Sequence, residues 1–185
     1  MRETAAPSAL SQPSIWSITV STSDNLKTAF AGESQANSKY LSYADKAARE
    51  GFPIVARLFR AIAAAEAIHA RNHLRAMDGI KATLENLVDA QAGENYEIKE
   101  MYPPMVEAAE AEGEERAARS MHHALEVEKV HSVLYGEAIE AVKAGHDLKD
   151  AAVRICPVCG HTVIGDAPDN CPVCGCQGAI YTQIA

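Results

Sequence analysis

Glu66-Ala67-Ile68-His69 and Glu128-Lys129-Val130-His131 write the same pattern twice, each inside a long Ala-rich stretch that reads as helix. Residues three apart on a helix share a face, so each pair aims a carboxylate and an imidazole at one point. Two such pairs can grip two metal ions. Di-iron carboxylate bundles take a Glu from each of two helices and a Glu-x-x-His from each of the other two. Working outward from the repeat, the missing carboxylates are Glu33 in the first helical stretch and Glu94 with Glu97 in the third. One Glu-x-x-His arises by chance in many helices. The pattern in two separate helices, with Glu at matching depth elsewhere, is specific.

The chain around these residues punctuates itself into four helices. Ser23 or Asp24 can cap a first helix running to about Glu50, where Gly51-Phe52-Pro53 stops it and starts the next. So short a loop makes helices one and two antiparallel. Helix two is expected to run to about Asp78 and end at Gly79, and helix three to run from Thr83 or Glu85 to Gly113. Pro103-Pro104 should kink or interrupt helix three about one turn beyond Glu100. A fourth helix from about Glu114 to Ala144 closes at Gly145. Residues 1–22, rich in Ser, Thr, Ala and Pro, read as a flexible tail.

After the polar linker, residues 151–185 change character. Cys156-Pro157-Val158-Cys159-Gly160 is repeated as Cys171-Pro172-Val173-Cys174-Gly175. Each knuckle turns two thiolates to one side, so together they offer a tetrahedral sulfur-four site that zinc or a single iron would accept. So short a segment has little core, and the metal should be its main fold determinant. Cys176 is left over as a surface thiol, because the tetrahedral set is already complete. The domain reading is a tail at 1–22, a four-helix metal-binding bundle at 23–147 and a four-cysteine metal module at 151–185.

Composition narrows the partners. A formal charge of −8 over 185 residues argues against nucleic acid or an anionic membrane surface. No run approaches the roughly 18 apolar residues that span a bilayer. The start of the chain lacks a signal-peptide pattern, and five cysteines packed into residues 156–176 suggest metal binding rather than disulfides, so the expected location is cytoplasmic. Glu107, Glu110, Glu112, Glu114 and Glu115 read as a solvated run. His73, His122 and His123 lie outside the repeated spacing and read as non-ligands.

Together, Ala31-Gly32-Glu33-Ser34, Leu58-Phe59-Arg60-Ala61-Ile62-Ala63, the two Glu-x-x-His pairs, Gly93-Glu94-x-x-Glu97 followed by Met101-Tyr102-Pro103, and the two CPVCG knuckles closely resemble the rubrerythrin family. The resemblance covers residues 23–185. It implies a mainly α fold, a ferritin-like di-iron four-helix bundle followed by a rubredoxin-like iron domain. It also implies a peroxide reductase: hydrogen peroxide goes to water at the di-iron centre, and electrons return through the four-cysteine iron from a rubredoxin or a partner reductase fed by NAD(P)H. Carried over by motif, Glu66 and Glu128 would bridge the irons, Glu33 would be terminal on one, and Glu94 with His131 terminal on the other. Glu97 and His69 would exchange places on one iron with redox state, the hard carboxylate suiting ferric and the imidazole ferrous. Cys156, Cys159, Cys171 and Cys174 would hold the third iron, with zinc as a possible replacement. Tyr40 and Tyr102 share their carboxylates' faces. The resemblance suggests that they hydrogen-bond those carboxylates, and core packing is the alternative. His161 stands where the family usually carries an aromatic.

The residues give independent support. Five carboxylates against two divalent ions leave about one negative charge, whereas without metal they would repel and hold protons. The chain has no Gly-x-Gly-x-x-Gly, so the nucleotide belongs to a partner protein. The connector between helices two and three must return roughly 25 Å with about seven residues at about 3.3 Å each. That is barely enough, so a homodimer exchanging helices one and two is one expected assembly and an unswapped dimer the other. In either case the relay would reach a neighbour's di-iron site more readily than its own. Two other functions stay open from sequence: a ferritin-like ferroxidase, which gives the knuckles no task, and a non-catalytic zinc-binding module.

Overall fold

The computed structural model describes residues 21–149 and 151–184. The tail expected at residues 1–22 lies outside the described residues up to position 20; Ser21 caps the first helix and Thr22 begins it. The chain divides into two compact units, Met1–Ile80 and Lys81–Ala185.

The first unit is a helical hairpin of α1 (Thr22–Arg49) and α2 (Pro53–Ala76). The cap is Ser21 rather than Ser23 or Asp24. Its backbone is extended and its Oγ accepts from the Asp24 amide at 3.1 Å. Asp24 sits in the first turn instead, where its carboxylate accepts from the Ser21 hydroxyl at 2.6 Å and complements the helix dipole. At the other end Gly51 takes φ +84°, and the Phe52 amide bonds back to the Ala47 carbonyl. Pro53 then opens α2 in its first turn, where no amide is needed.

The two helices meet through small side chains. Ala44 and Ala47 of α1 and Ala56 and Ala63 of α2 are all buried. The Asn37 side chain donates to the Ala63 carbonyl at 2.7 Å, locking the depth of one helix against the other. α2 stops at Ala76, short of the expected Asp78. The cause is local: Asp78 adopts φ +52°, the Gly79 amide bonds the Leu74 carbonyl, and Gly79 lies so close that a Cβ there would sit 2.4 Å from Leu74 Cδ1.

The second unit begins with α3 (Thr83–Tyr96), whose entry is clasped by Asn86. Its side chain both accepts from the Lys81 amide and donates to the Lys81 carbonyl, at 2.8 Å each. A π-helical segment (Glu97–Met101) and α4 (Tyr102–Ala111) follow without a break. The interruption caused by Pro103-Pro104 therefore falls at Glu97–Met101, ahead of the expected place one turn beyond Glu100. Two missing amides leave the carbonyls of Lys99 and Glu100 without α-helical donors, and the preceding turn widens to absorb the mismatch. The prolines themselves occupy the opening turn of α4.

α5 (Glu115–Lys143) is joined to α3 by Gln91 donating to the Ser132 carbonyl at 2.8 Å and by Ser132 Oγ donating to Asn95 Oδ1 at 3.1 Å. Gly136 makes room for that clamp, because a Cβ there would lie 2.9 Å from Gln91 Nε2. Beyond α5, strands β1 (Val153–Ile155), β2 (Thr162–Ile164) and β3 (Thr182–Ile184) form an antiparallel sheet in the order β2-β1-β3. A 3-10 turn at Gly178–Ile180 leads into β3. None of the described helices is long and apolar enough to cross a membrane.

Gly178 is the tightest backbone approach. An added Cβ would fall 1.7 Å from the Pro168 carbonyl oxygen. Gly178→Ala should therefore destabilise the C-terminal module by about 1–3 kcal/mol or more, as overpacking does. The check is a lower thermal midpoint together with faster metal loss to a chelator.

Candidate metal centres

Two acidic half-sites and one sulfur site stand out. On the hairpin, Glu33 from α1 and Glu66 with His69 from α2 bring ligand atoms within 4.8 Å of one another. His69 Nδ1 lies 2.9 Å from Glu66 Oε2 and 3.9 Å from Glu33 Oε1. In the second unit, Glu94 from α3 and Glu128 with His131 from α5 make the matching set, with His131 Nδ1 2.7 Å from Glu128 Oε2. The i, i+3 spacing of each Glu-x-x-His produces these contacts directly. Each half-site thus offers two carboxylates and one imidazole, a hard-oxygen and nitrogen donor set suited to divalent iron or manganese.

The electrostatics show what the second set lacks. Burial, then the hydrogen bond and charge of Glu128, then the charge of Glu97, push the Glu94 carboxyl up to about 7. Burial and the charge of Glu128 also raise Glu97, partly offset by His131. A cation between Glu94 and Glu128 would do the work of the shared proton, so the residues fit a metal. Glu97, at the start of the π segment, does not converge with Glu94, Glu128 and His131, whereas His69 does converge with Glu33 and Glu66.

The two tyrosines separate. Burial, then the charges of Glu97, Glu128 and Glu94, push the Tyr102 phenol up, so its neutral hydroxyl faces the carboxylate set. Tyr40 packs in an aromatic cluster, its ring centroid 6.2 Å from those of Phe59 and Tyr43.

The four knuckle cysteines converge as their spacing requires. A tetrahedron of sulfurs at about 2.3 Å from a central ion has edges of about 3.8 Å. Here Cys156 and Cys174 are 3.7 Å apart, and Cys159 and Cys171 3.5 Å. Gly160 and Gly175 take φ +89° and +74°, and each donates its amide to the carbonyl of its knuckle's first cysteine at 2.9 Å. Burial pushes the Cys171 thiol up, but the amides of Cys174 and Val173 and the Tyr181 hydroxyl bring it down to about 6. Cys176 stands outside the converging four but beside them. Its Sγ lies 3.3 Å from Cys156 Sγ, and burial with that neighbour pushes it up to about 12.

One contact joins the two kinds of site within the second unit. His131 Nε2 faces the Gly160 carbonyl at 3.3 Å and Thr162 Oγ1 at 3.1 Å, and the Thr162 hydroxyl donates to the same carbonyl at 3.0 Å. A proton held on Nε2 leaves the Nδ1 lone pair for the acidic site. The four-cysteine module therefore seats its first knuckle on α5 of its own chain. Sequence reading missed Asn37, Gln91, Asn95, Ser132 and Thr162. Their one available signal was position: Asn37 lies one turn after Glu33, Gln91 one turn before Glu94 and Ser132 beside His131.

Helix pairs carrying paired Glu-x-x-His ligands, followed by a four-cysteine module, define a ferritin-like metalloprotein with a rubredoxin-like domain. The Rubrerythrin family profile matches residues 24–139. The chain is 39% identical over 159 residues to Rubrerythrin-2 of Clostridium acetobutylicum, covering 78% of this chain and 86% of that one. It is 34% identical over 160 residues to nigerythrin of Nitratidesulfovibrio vulgaris, covering 79% and 78%. A structure of nigerythrin in its fully reduced, all-ferrous state matches with TM-score 0.53 at 32% identity, covering 89% of this chain and 87% of that one. This chain belongs to the rubrerythrin family, which places it among di-iron oxidoreductases of oxidative-stress defence.

The Glu94 position gives a signed pH prediction. Its folded value is raised from 4.5 to about 7, so its contribution to stability is present below 4.5 and lost as pH rises towards about 7. Chelator-treated protein should show a thermal midpoint that falls across this window. Glu94→Gln should flatten the fall, and metal loading should reverse its sign, because the cation competes with the proton.

Proposed function

We propose that the chain is a peroxide reductase of the rubrerythrin type, with Glu33, Glu66, His69, Glu94, Glu97, Glu128 and His131 as its di-iron ligands and Cys156, Cys159, Cys171 and Cys174 as ligands of a relay iron. The observation that carries this reading is His131. Its Nδ1 faces the acidic site while its Nε2 meets the carbonyl of Gly160, the residue after Cys159. From Cys159 to the acidic site the path is one peptide unit, one hydrogen bond and one imidazole. Iron storage or oxidation by dioxygen would give that path no use.

Reducing one hydrogen peroxide to two waters takes two electrons and two protons. Two bound iron ions would template the peroxide and supply the electrons. The chain's own residues do the rest. Tyr102, kept neutral by the surrounding carboxylates, holds a hydroxyl hydrogen at the site. Glu97 stands on a widened helical turn and is free to swing, and half-exposed His69 is free to retreat, which supports their exchange on one iron. Electrons reach the sulfur site from a rubredoxin or a reductase drawing on NAD(P)H, in a cytoplasmic setting.

A di-iron centre needs both half-sites, and the connector limits how they combine. In a ferritin-like bundle helices two and three run parallel, so the chain must return from the end of α2 to the start of α3. From His69 to Ala76 and from Thr83 to Glu94 the axial return is about 27 Å, and fully extended residues between Ala76 and Thr83 reach about 25 Å at most. The connector is not extended: Leu74 to Gly79 is closed by a hydrogen bond, and Lys81 is clasped by Asn86. The proposed assembly is therefore a swapped homodimer, the α1–α2 hairpin of one protomer completing the site of α3 and α5 of the other. The exposed apolar face of α2, with Ile54, Leu58 and Ile62 on it, is what such a partner would cover.

Two measurements test these points. Anaerobically reduced protein mixed rapidly with peroxide or with dioxygen should oxidise much faster with peroxide. Cys156→Ser should abolish turnover with external reductant yet spare that single oxidation; faster oxidation by dioxygen would instead favour a ferroxidase. For assembly, Glu33→Ala and Glu94→Ala chains, each inactive alone, should regain about half the activity when mixed as heterodimers, because swapping concentrates both lesions in one of two sites. No recovery would mean unswapped sites.

A further inference from the structure

Five cysteine sulfurs gather where a tetrahedral ion takes four. Cys156, Cys159, Cys171 and Cys174 converge as the metal set. The fifth is brought in by the turn of the second knuckle. Gly175 takes φ +74° and the Cys171 amide donates to the Cys176 carbonyl at 2.7 Å, so the chain folds Cys176 back over the knuckle it has just left. The result is a contact across the module. Cys176 Sγ lies 3.3 Å from Cys156 Sγ, closer than Cys156 to Cys174 at 3.7 Å or Cys159 to Cys171 at 3.5 Å. The first knuckle makes the matching turn, its Cys156 amide donating to the His161 carbonyl at 2.8 Å, but carries an imidazole at that position. Only the second turn delivers a thiol.

The two sulfurs differ in access. Cys156 is 1% exposed, whereas Cys176 is half-buried and open to a small solute. A disulfide bond is about 2.0 Å long, so the pair has about 1.3 Å to close, a distance that side-chain rotation covers. A partly exposed thiol with a second cysteine beside it is the arrangement in which one sulfur is oxidised and the other resolves it.

We propose that Cys176 and Cys156 form a peroxide-oxidised pair, a modification site whose disulfide opens the four-cysteine set and releases its metal. The oxidant is hydrogen peroxide, the substrate of the activity proposed above. The Cys176 thiol attacks one peroxide oxygen; the O–O bond breaks, an S–O bond forms, and the products are a sulfenic acid on Cys176 and one water. Cys156, a thiolate while it holds metal, then attacks the Cys176 sulfur. The S–S bond forms, the S–O bond breaks, and the hydroxyl leaves as a second water with one proton from solvent. Two electrons pass from the sulfur pair to peroxide. The metal keeps three of its four thiolates and departs. On the relay reading, this interrupts electron flow when peroxide outlasts the supply of reductant, and a dithiol restores it. The cross-link itself does not depend on that reading.

The test exposes full-length, iron-loaded protein to excess hydrogen peroxide, removes the peroxide with catalase, and alkylates the denatured chain before intact and fragment mass measurement. Ferric tetrathiolate absorption is followed in parallel. Wild type should lose two hydrogens, escape alkylation at Cys156 and Cys176, give a fragment joining the two, and bleach. Dithiothreitol followed by ferrous iron should restore mass and colour. Cys176→Ala and Cys176→Ser should lose the cross-link and keep their absorption through the exposure that bleaches wild type. Bleaching at the wild-type rate in both variants, a cross-link between two of the four ligand cysteines, or a Cys176 that stays open to alkylation would overturn the proposal. Zinc-loaded protein supplies a second arm, in which the cross-link and zinc release to a chromophoric chelator are read without iron. Iron-loaded wild type that shows no ferric tetrathiolate absorption would remove the relay reading and leave a zinc-arm cross-link standing; normal absorption with no cross-link would remove this proposal alone.

Discussion

Like charge gathered on facing helices is the constraint from which the rest of this structure follows. Burial, then the hydrogen bond and charge of Glu128, then the charge of Glu97, push the Glu94 carboxyl up to about 7, and a proton or a cation relieves the strain. A fold that keeps such groups together must hold them with forces that do not depend on charge. Here those forces are small-residue helix contacts and side-chain amides. Asn37 ties α1 to α2 beside one half-site, and Gln91 with Ser132 ties α3 to α5 beside the other. The same plan is drawn twice in different side chains.

The widened turn at Glu97–Met101 belongs to that plan too. Pro103 and Pro104 withhold two amides, and the ladder upstream loosens at the point where a fifth carboxylate is carried. A regular helix would fix Glu97 in the register of Glu94. The π turn begins at that residue and widens the turn that follows it. The imidazole of His131 performs a complementary task. Fixed at Nε2 by Gly160 and Thr162, it has no freedom to exchange and remains the link between the acidic and sulfur sites.

Much of the ligand geometry was legible in the chain because helical spacing and knuckle spacing are short-range. Glu66 with His69, Glu128 with His131, and each CPVC pair lie within one turn, so their convergence needs no tertiary information. The four-helix punctuation was legible for the same reason, with Gly51, Gly113 and Gly145 in the left-handed region where helices end. Errors came where local signals compete. Ser21 won the cap over Ser23, Asp78 ended α2 early, and the interruption came about one turn ahead of the two prolines rather than at them.

The sequence by itself determined the donor sets: which carboxylates, imidazoles and thiolates exist, and which neighbours share a face. Only the tertiary structure decided what lies beside them. It placed Gly160 against His131, Cys176 against Cys156, Tyr181 against His161, and Tyr40 among aromatic rings while Tyr102 lies near carboxylates. The reason is physical. Periodicity sets the direction in which a side chain leaves its own helix or turn, whereas the partner it meets is set by packing between segments far apart in the chain, and no local spacing encodes that meeting.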